Sequence, residues 1–292
     1  MNDCFVDLPD GRRLCYRVRG AGPPVVLIIG LGLQLTAWPE AMLADLADRG
    51  FQVITFDNRD VGRSSRMGAP PPTRWRLLRR KARAEDYCLR DMAGDVEALF
   101  DALGIAAAHV VGMSMGGMIA QTLAAHCPDR VLSLTSIFST TGARSVGQPS
   151  FAAMLRLMRA SPTTEDEAVA RHLDMLDLIT GDVHRFDAAQ ARRYASEAWR
   201  RGGADPHHGV ARQIMAIMKS GDRTASLSGI SAPTLVLHGD RDPLVHPSGG
   251  IATARAIPGA RHKTIRGMGH DLAPGAVPEL VAEITRHIGE PS

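Results

Sequence analysis

A glycine-flanked serine between a strand and a helix constrains this chain more than any other feature of its sequence. Gly112-Met113-Ser114-Met115-Gly116 follows a short apolar β-type segment, His109-Val110-Val111. It runs directly into a helical segment, Met115 to His126, that stops before Pro128. A chain turning this sharply needs glycine on both sides of the apex, because a Cβ there would clash. The apex residue is forced into a strained conformation that lifts its side chain above the sheet. The helix behind it then points its positive end at the Ser114 hydroxyl.

The same strand-then-helix rhythm runs along most of the chain. Phe5 to Leu8 and Arg13 to Val18 flank Asp10-Gly11, a strong hairpin turn. Val25-Val26-Leu27-Ile28-Ile29 is apolar throughout, as expected of a strand buried on both faces, and it ends in glycines. A helix is expected over Pro39–Arg49, a strand over Gln52–Phe56, a helix over Tyr87–Leu103 and a strand over Val131–Phe138. From about Thr140 to about Ser228 the signals are helical or loop-like. Strand and helix then resume with Thr234–His238, Gly249–Ile257, His262–Ile265 and Val277–Ile288. The expectation is an α/β fold: a mostly parallel sheet with helices on both faces, residues 1–139 and 229–292. A helical cap, residues 140–228, is inserted after the sixth strand.

A serine at such an apex acts as a nucleophile only with a base. Of the 11 histidines, His270 stands apart in Gly267-Met268-Gly269-His270-Asp271, just after the last strand. His109, His126 and His287 sit in or beside regular elements and read as structural, and His207-His208 reads as surface loop. A carboxylate must hold the base in the right tautomer. Two emerge together in His238-Gly239-Asp240-Arg241-Asp242-Pro243, at the same sheet end. Asp242 is the choice, since it lies further from the strand and can arch toward the next loop; Asp240 is the alternative, with turn capping as its other role. The backbone N–H of Met115 would supply one oxyanion donor, and the Gly30-Leu31-Gly32 turn another.

The order Ser114, Asp242, His270 and the motifs around them resemble serine hydrolases of the α/β-hydrolase fold. So does Asp57-Asn58-Arg59-Asp60-Val61-Gly62-Arg63-Ser64, similar to the family's turn after its fourth strand. Within that fold the chain is most similar to bacterial carboxylesterases and lipases of the aclacinomycin methylesterase-like kind. The resemblance implies acyl transfer through Ser114, with Leu31 N–H as the second oxyanion donor and neither metal nor organic cofactor. Two positions depart from the pattern: Ile29-Gly30 replaces His-Gly, and Asp60 replaces the glycine of the Asp-x-Arg-Gly turn. Perhydrolases, thioesterases, lactonases and carbon–carbon bond hydrolases share this machinery and stay open, as does a slow ligand receptor.

Nine of the 13 methionines fall where a substrate pocket could form: Met113, Met115 and Met118 by the serine, Met268 by the histidine, and Met154, Met158, Met175, Met215 and Met218 in the cap. Methionine adapts to varied apolar ligands, although helix core is the alternative for the cap residues. The expected substrate-binding set is Met113, Met118, Met154, Met158 and Met268, for a hydrophobic small-molecule or lipid ester.

Composition removes other classes. With 45% hydrophobic and 22% charged residues, the 292-residue chain is ordinary globular material. Cys4, Cys15, Cys88 and Cys127 are scattered and read as free thiols in a reducing compartment. With no leader-like start, the expectation is a cytoplasmic protein. Net charge is only +3, and 31 of the 34 basic residues are arginine, the mark of a GC-rich genome rather than of a nucleic-acid partner. One cluster stands out after Pro70-Pro71-Pro72: Arg74, Arg76, Arg79, Arg80, Lys81 and Arg83, interleaved with Trp75, Leu77 and Leu78. It reads either as an exposed arginine-rich loop or as a contact for an anionic membrane surface.

Overall fold

A central strand apolar on both faces, Pro24–Ile28, lies at the heart of the molecule. A computed structural model describes residues 2–159, 161–202 and 206–289. Met1 and residues 290–292 of the expected core, and 160 and 203–205 of the expected cap, lie outside the described residues. The eight segments expected as strands form one sheet: β1 Cys4–Asp7, β2 Arg13–Arg19, β3 Pro24–Ile28, β4 Gln52–Phe56, β5 Ala108–Met113, β6 Val131–Ile137, β7 Thr234–Gly239 and β8 Arg261–Ile265. Their order is β1-β2-β4-β3-β5-β6-β7-β8. The hairpin β1–β2 is antiparallel and β2 joins β4 antiparallel, while β4 through β8 run parallel. The carboxyl ends of the parallel strands therefore share one edge, where such sheets place their ligands.

Helices cover both faces. They are α1 Glu40–Asp48, α2 Arg74–Leu78, α3 Leu89–Ala102, α4 Met115–His126, α5 Phe151–Leu157, α6 Glu165–Ile179, α7 Ala188–Gly202, α8 Pro206–Ser220, α9 Thr224–Leu227, α10 Ser248–Ala256 and α11 Val277–Gly289. Successive strand side chains point to opposite faces. Val26 and Ile28 accordingly pack with α3 and α4 residues such as Val96, Leu99 and Ile119, while Val25 and Leu27 pack with Met42, Leu46, Leu280 and Ile284 of α1 and α11. Among the described residues, α5 to α9 are the elements between β6 and β7. Among the described residues, no helix is long and apolar enough to cross a membrane.

Two local expectations change. His207 and His208 lie in the first turn of α8 rather than in a loop. The basic segment is not simply an exposed loop: Arg74–Leu78 is a short helix capped by the Thr73 hydroxyl. Arg76 and Arg83 turn inward onto the buried Asp86 carboxylate, leaving Arg74, Arg79, Arg80 and Lys81 exposed.

Buried ion pairs fasten the helices between β6 and β7 to the sheet. Arg201 of α7 reaches Asp57 and Asp3, and Arg212 of α8 reaches Asp60.

Candidate active site

Ser114 sits at the junction of β5 and α4 with φ 55° and ψ −121°, a conformation that side chains rarely adopt. Its N–H donates to the Ile137 carbonyl of the neighbouring strand, which helps hold the strained turn. The flanking glycines are sterically required. A methyl group at Gly112 would lie 2.2 Å from the Gly116 carbonyl oxygen, and one at Gly116 would lie 2.0 Å from that of Ile28.

The structure brings Ser114, His270 and Asp242 together from three separate loops. His270 Nε2 is 2.9 Å from Ser114 Oγ, and its Nδ1 is 2.6 Å from Asp242 Oδ2. The His270 ring packs 4.4 Å from that of Phe138, and the backbone N–H of His270 donates to the Ile179 carbonyl, so packing and backbone both fix its position. Asp242 is buried, with Oδ1 accepting the N–H groups of Leu244 and Val245 at 2.8 Å each. Burial by itself would push this carboxyl up. The charge of His270 and hydrogen bonds from His238 and His270 outweigh it and hold the carboxyl well below the usual range. Asp240 makes no such contact; its Oδ1 accepts the Gly267 N–H at 2.6 Å and so braces the loop that carries His270.

The expected oxyanion donors flank the serine. Met115 opens α4, where no helical carbonyl reaches its N–H. The Gly30 turn lies directly on Ser114, since a Cβ at Gly30 would be 3.3 Å from Ser114 Cβ. Leu33 N–H closes this turn onto the Gly30 carbonyl, and Gly32 holds φ +69°.

The five methionines expected around the substrate do not form one wall. Met113 and Met268 are buried on one face of the sheet, and Met118 on the other. Met154 and Met158 lie on the outside of α5, 38% and 60% exposed.

Two side chains near the site were not singled out from sequence. His238 Nε2 lies 2.8 Å from the Val245 carbonyl and 3.2 Å from Asp242 Oδ2, the same carboxylate oxygen that His270 contacts. A histidine at a strand end four residues before a candidate carboxylate is the signal that could have found it. Gln213, fully buried on α8, accepts the Gly32 N–H. Its only trace in sequence is a polar residue beside the apolar pair Ile214-Met215.

Residues 23–274 match the family described as alpha/beta hydrolase fold. The chain is similar to rhodomycin D methylesterase of Streptomyces peucetius, 31% identical over 292 aligned positions covering 91% of each protein. The rhodomycin D methylesterase of Streptomyces sp. strain C5 is 32% identical over the same span and coverage. Among solved structures it is similar to an enol-lactonase from Burkholderia xenovorans LB400. That match has a TM-score of 0.74 at 23% identity and covers 98% of this chain and 100% of that one, a likeness of fold.

Proposed function

The chain belongs to the α/β-hydrolase fold family, and we propose on that premise that it hydrolyses carboxylic esters through an acyl-enzyme on Ser114. The observation that carries this reading is the unbroken line of contacts Ser114 Oγ–His270–Asp242, at 2.9 and 2.6 Å. His270 Nε2 takes the Ser114 proton as Oγ attacks the ester carbonyl. The N–H groups of Met115 and Leu31 stabilise the oxyanion, where one such donor is worth roughly 3 kcal/mol. Asp242 keeps the His270 proton on Nδ1 and stabilises the imidazolium that forms. His270 then protonates the departing alkoxide, and the alcohol leaves. Water enters, His270 removes its proton, and the acid is released with Ser114 regenerated.

The substrate class is a hydrophobic ester. The methylesterase names of the relatives make a methyl ester of an apolar acid the first compound to assay. Met113 and Met118, flanking Ser114 in sequence, are assigned to the apolar side of the acyl site; Met268, fully buried, and Met154 and Met158, exposed at α5, are not. Fluorophosphonate labelling tests the nucleophile, with Ser114→Ala expected to lose both label and turnover while remaining folded. A panel of methyl and p-nitrophenyl esters, thioesters and lactones tests the bond, with esters expected to have the highest kcat/KM. Multiple turnovers by Ser114→Ala, or a preference for thioesters or lactones, would overturn the assignment.

The exposed face of α2 supports a second element of this reading, contact with an anionic lipid surface. Trp75 and Leu78 are 67% and 66% exposed, and the Arg79 guanidinium stacks over the Trp75 ring at 5.3 Å. Exposed tryptophan beside arginine suits a membrane interface, where each basic residue contributes about 1 kcal/mol. Arg76 and Arg83 already serve Asp86, so the contact falls to Arg74, Arg79, Arg80 and Lys81. Co-sedimentation with anionic but not neutral vesicles at low salt is expected. It should disappear when Arg79, Arg80 and Lys81 are changed to Ser; equal binding by this variant would refute the contact.

A further inference from the structure

Two adjacent buried residues of α8, Arg212 and Gln213, reach two different loops of the sheet domain. Gln213 Oε1 accepts the Gly32 N–H at 2.9 Å, and its Nε2 donates to the Arg59 carbonyl at 2.9 Å. The two partners are a donor and an acceptor, so the amide has one favourable orientation. Arg212 grips both oxygens of Asp60, at 2.9 and 2.7 Å, and donates to the Ala69 carbonyl. Asp60 is fully buried at φ 73° and also accepts from Tyr87 Oη and the Met67 N–H. It occupies the position where the resembled pattern has glycine. The chain thus keeps the left-handed turn and adds a carboxylate whose partner is on α8. Val210, one turn before, lies against Gly32, where a Cβ would meet it at 3.0 Å.

The Gly32 N–H belongs to the central peptide of the turn Gly30–Leu33. With φ +69° at the third position this turn has the type II form. Reversing the central peptide converts it toward type I, the least costly way for such a turn to change shape. With Gln213 in place, that reversal would turn the Leu31 carbonyl toward Gln213 Oε1, acceptor against acceptor, and would leave a fully buried amide oxygen without a donor. The other peptide, Gly30–Leu31, carries the Leu31 N–H opposite the Gly30 carbonyl, which is held by Leu33. The direction of the Leu31 N–H therefore depends on the turn keeping its form.

We propose that Gln213 is a positioning residue that holds the Gly30–Leu33 turn in its donor-presenting form. The Asp60–Arg212 pair clamps α8 in the register that lets Gln213 do so. The proposal rests on the assignment of Ser114 as nucleophile and Leu31 N–H as oxyanion donor. It makes oxyanion stabilisation depend on the docking of a helix from the segment between β6 and β7.

The test uses Gln213→Leu, which keeps the bulk and removes the acceptor, and Asp60→Gly/Arg212→Met, which releases the clamp without leaving a buried charge unpaired. Complete loss of an oxyanion donor costs roughly 100- to 1,000-fold, so a misdirected one should lower kcat about 10- to 100-fold with KM changed less than about threefold. The inhibition constant of an aryl trifluoromethyl ketone, whose adduct carries the oxyanion, should rise by the same factor. Amide exchange over residues 31–33 should quicken about tenfold or more. The double variant should show the same pattern more weakly, and it carries the test if Gln213→Leu does not fold. Unchanged kcat and inhibition constant, or a loss of kcat without weaker ketone binding and faster exchange, would overturn the proposal. A wild type that neither turns over esters nor reacts with a fluorophosphonate at Ser114 would instead defeat the hydrolase reading, and amide exchange would still decide whether Gln213 holds the turn.

Discussion

Replacing Asp242 by Asn changes two atoms and should cost almost all turnover, for a reason set by the contacts around it. Oδ1 accepts the N–H groups of Leu244 and Val245, while Oδ2 faces His270 Nδ1 at 2.6 Å. An Asn side chain keeps its oxygen on the two backbone donors, because an NH2 group there would meet two fixed N–H groups head-on. On the other side, by contrast, His270 can change tautomer, and His238 Nε2, 3.2 Å from Oδ2, keeps the Val245 carbonyl at 2.8 Å as its partner. The NH2 then points at His270 Nδ1, which can meet it only as an acceptor. The His270 proton moves to Nε2, facing Ser114 Oγ, and the imidazole can no longer remove the serine proton. A forced tautomer of this kind costs roughly 10⁴-fold in kcat in a serine protease triad. A loss of about 10³- to 10⁴-fold is expected here, with KM within a few-fold. Because the backbone contacts of Oδ1 survive, the melting temperature should fall by no more than a few degrees. Asp240→Asn should behave differently. Its oxygen can still accept the Gly267 N–H, and no histidine faces it, so kcat should fall less than about tenfold. The assay is ester turnover with thermal denaturation of both variants. A greater loss in Asp240→Asn, or a loss below tenfold in Asp242→Asn, would refute the reasoning.

Two further outcomes follow from steric and charge arguments. Gly116→Ala places a methyl 2.0 Å from the Ile28 carbonyl oxygen, where both partners are backbone; destabilisation of at least about 3 kcal/mol is expected by denaturant titration. Gly94→Ala, in α3 with open space around it, should instead stabilise by roughly 0.5–1 kcal/mol. Burial raises the Asp271 carboxyl from 3.8 to about 6 and leaves its Oδ1 without a partner. The folded protein thus binds this proton more tightly than the unfolded chain. Its contribution, of order 3 kcal/mol, is complete below pH 3.8 and is lost as pH rises through about 6. Asp271→Asn should therefore be more stable than wild type at pH 8 by up to that amount and about equal to it near pH 4; a constant difference across this range would count against the assignment.

What could be read from the sequence is what local physics dictates. The elbow was legible because the clash that requires Gly112 and Gly116 arises within a strand, a turn and a helix of contiguous sequence. The strands were legible because β3 and residues 110–113 of β5, buried on both faces, carry apolar residues with no polar alternation. Candidate site residues on the loops after β7 and β8 could be named because parallel strands deliver their carboxyl ends to one edge, so order along the chain becomes proximity in space. The basic segment was misjudged in part because its arginines look alike in sequence. Only the fold shows that Asp86, which begins no motif, draws Arg76 and Arg83 inward. Asp60 shows the same limit at the site. Against a pattern it is only a departure from glycine. Its meaning depends on Arg212, 152 residues away, and on Gln213 beside it, which reaches Gly32 across 181 residues. Contacts of that kind have no periodicity and no spacing rule. They arise where a helix between two strands returns over the sheet edge, and here they join the Gly30 turn and the Asp60 turn to one helix. Changes on α8 should therefore alter turnover before they alter substrate binding, although neither Arg212 nor Gln213 needs to touch the ester.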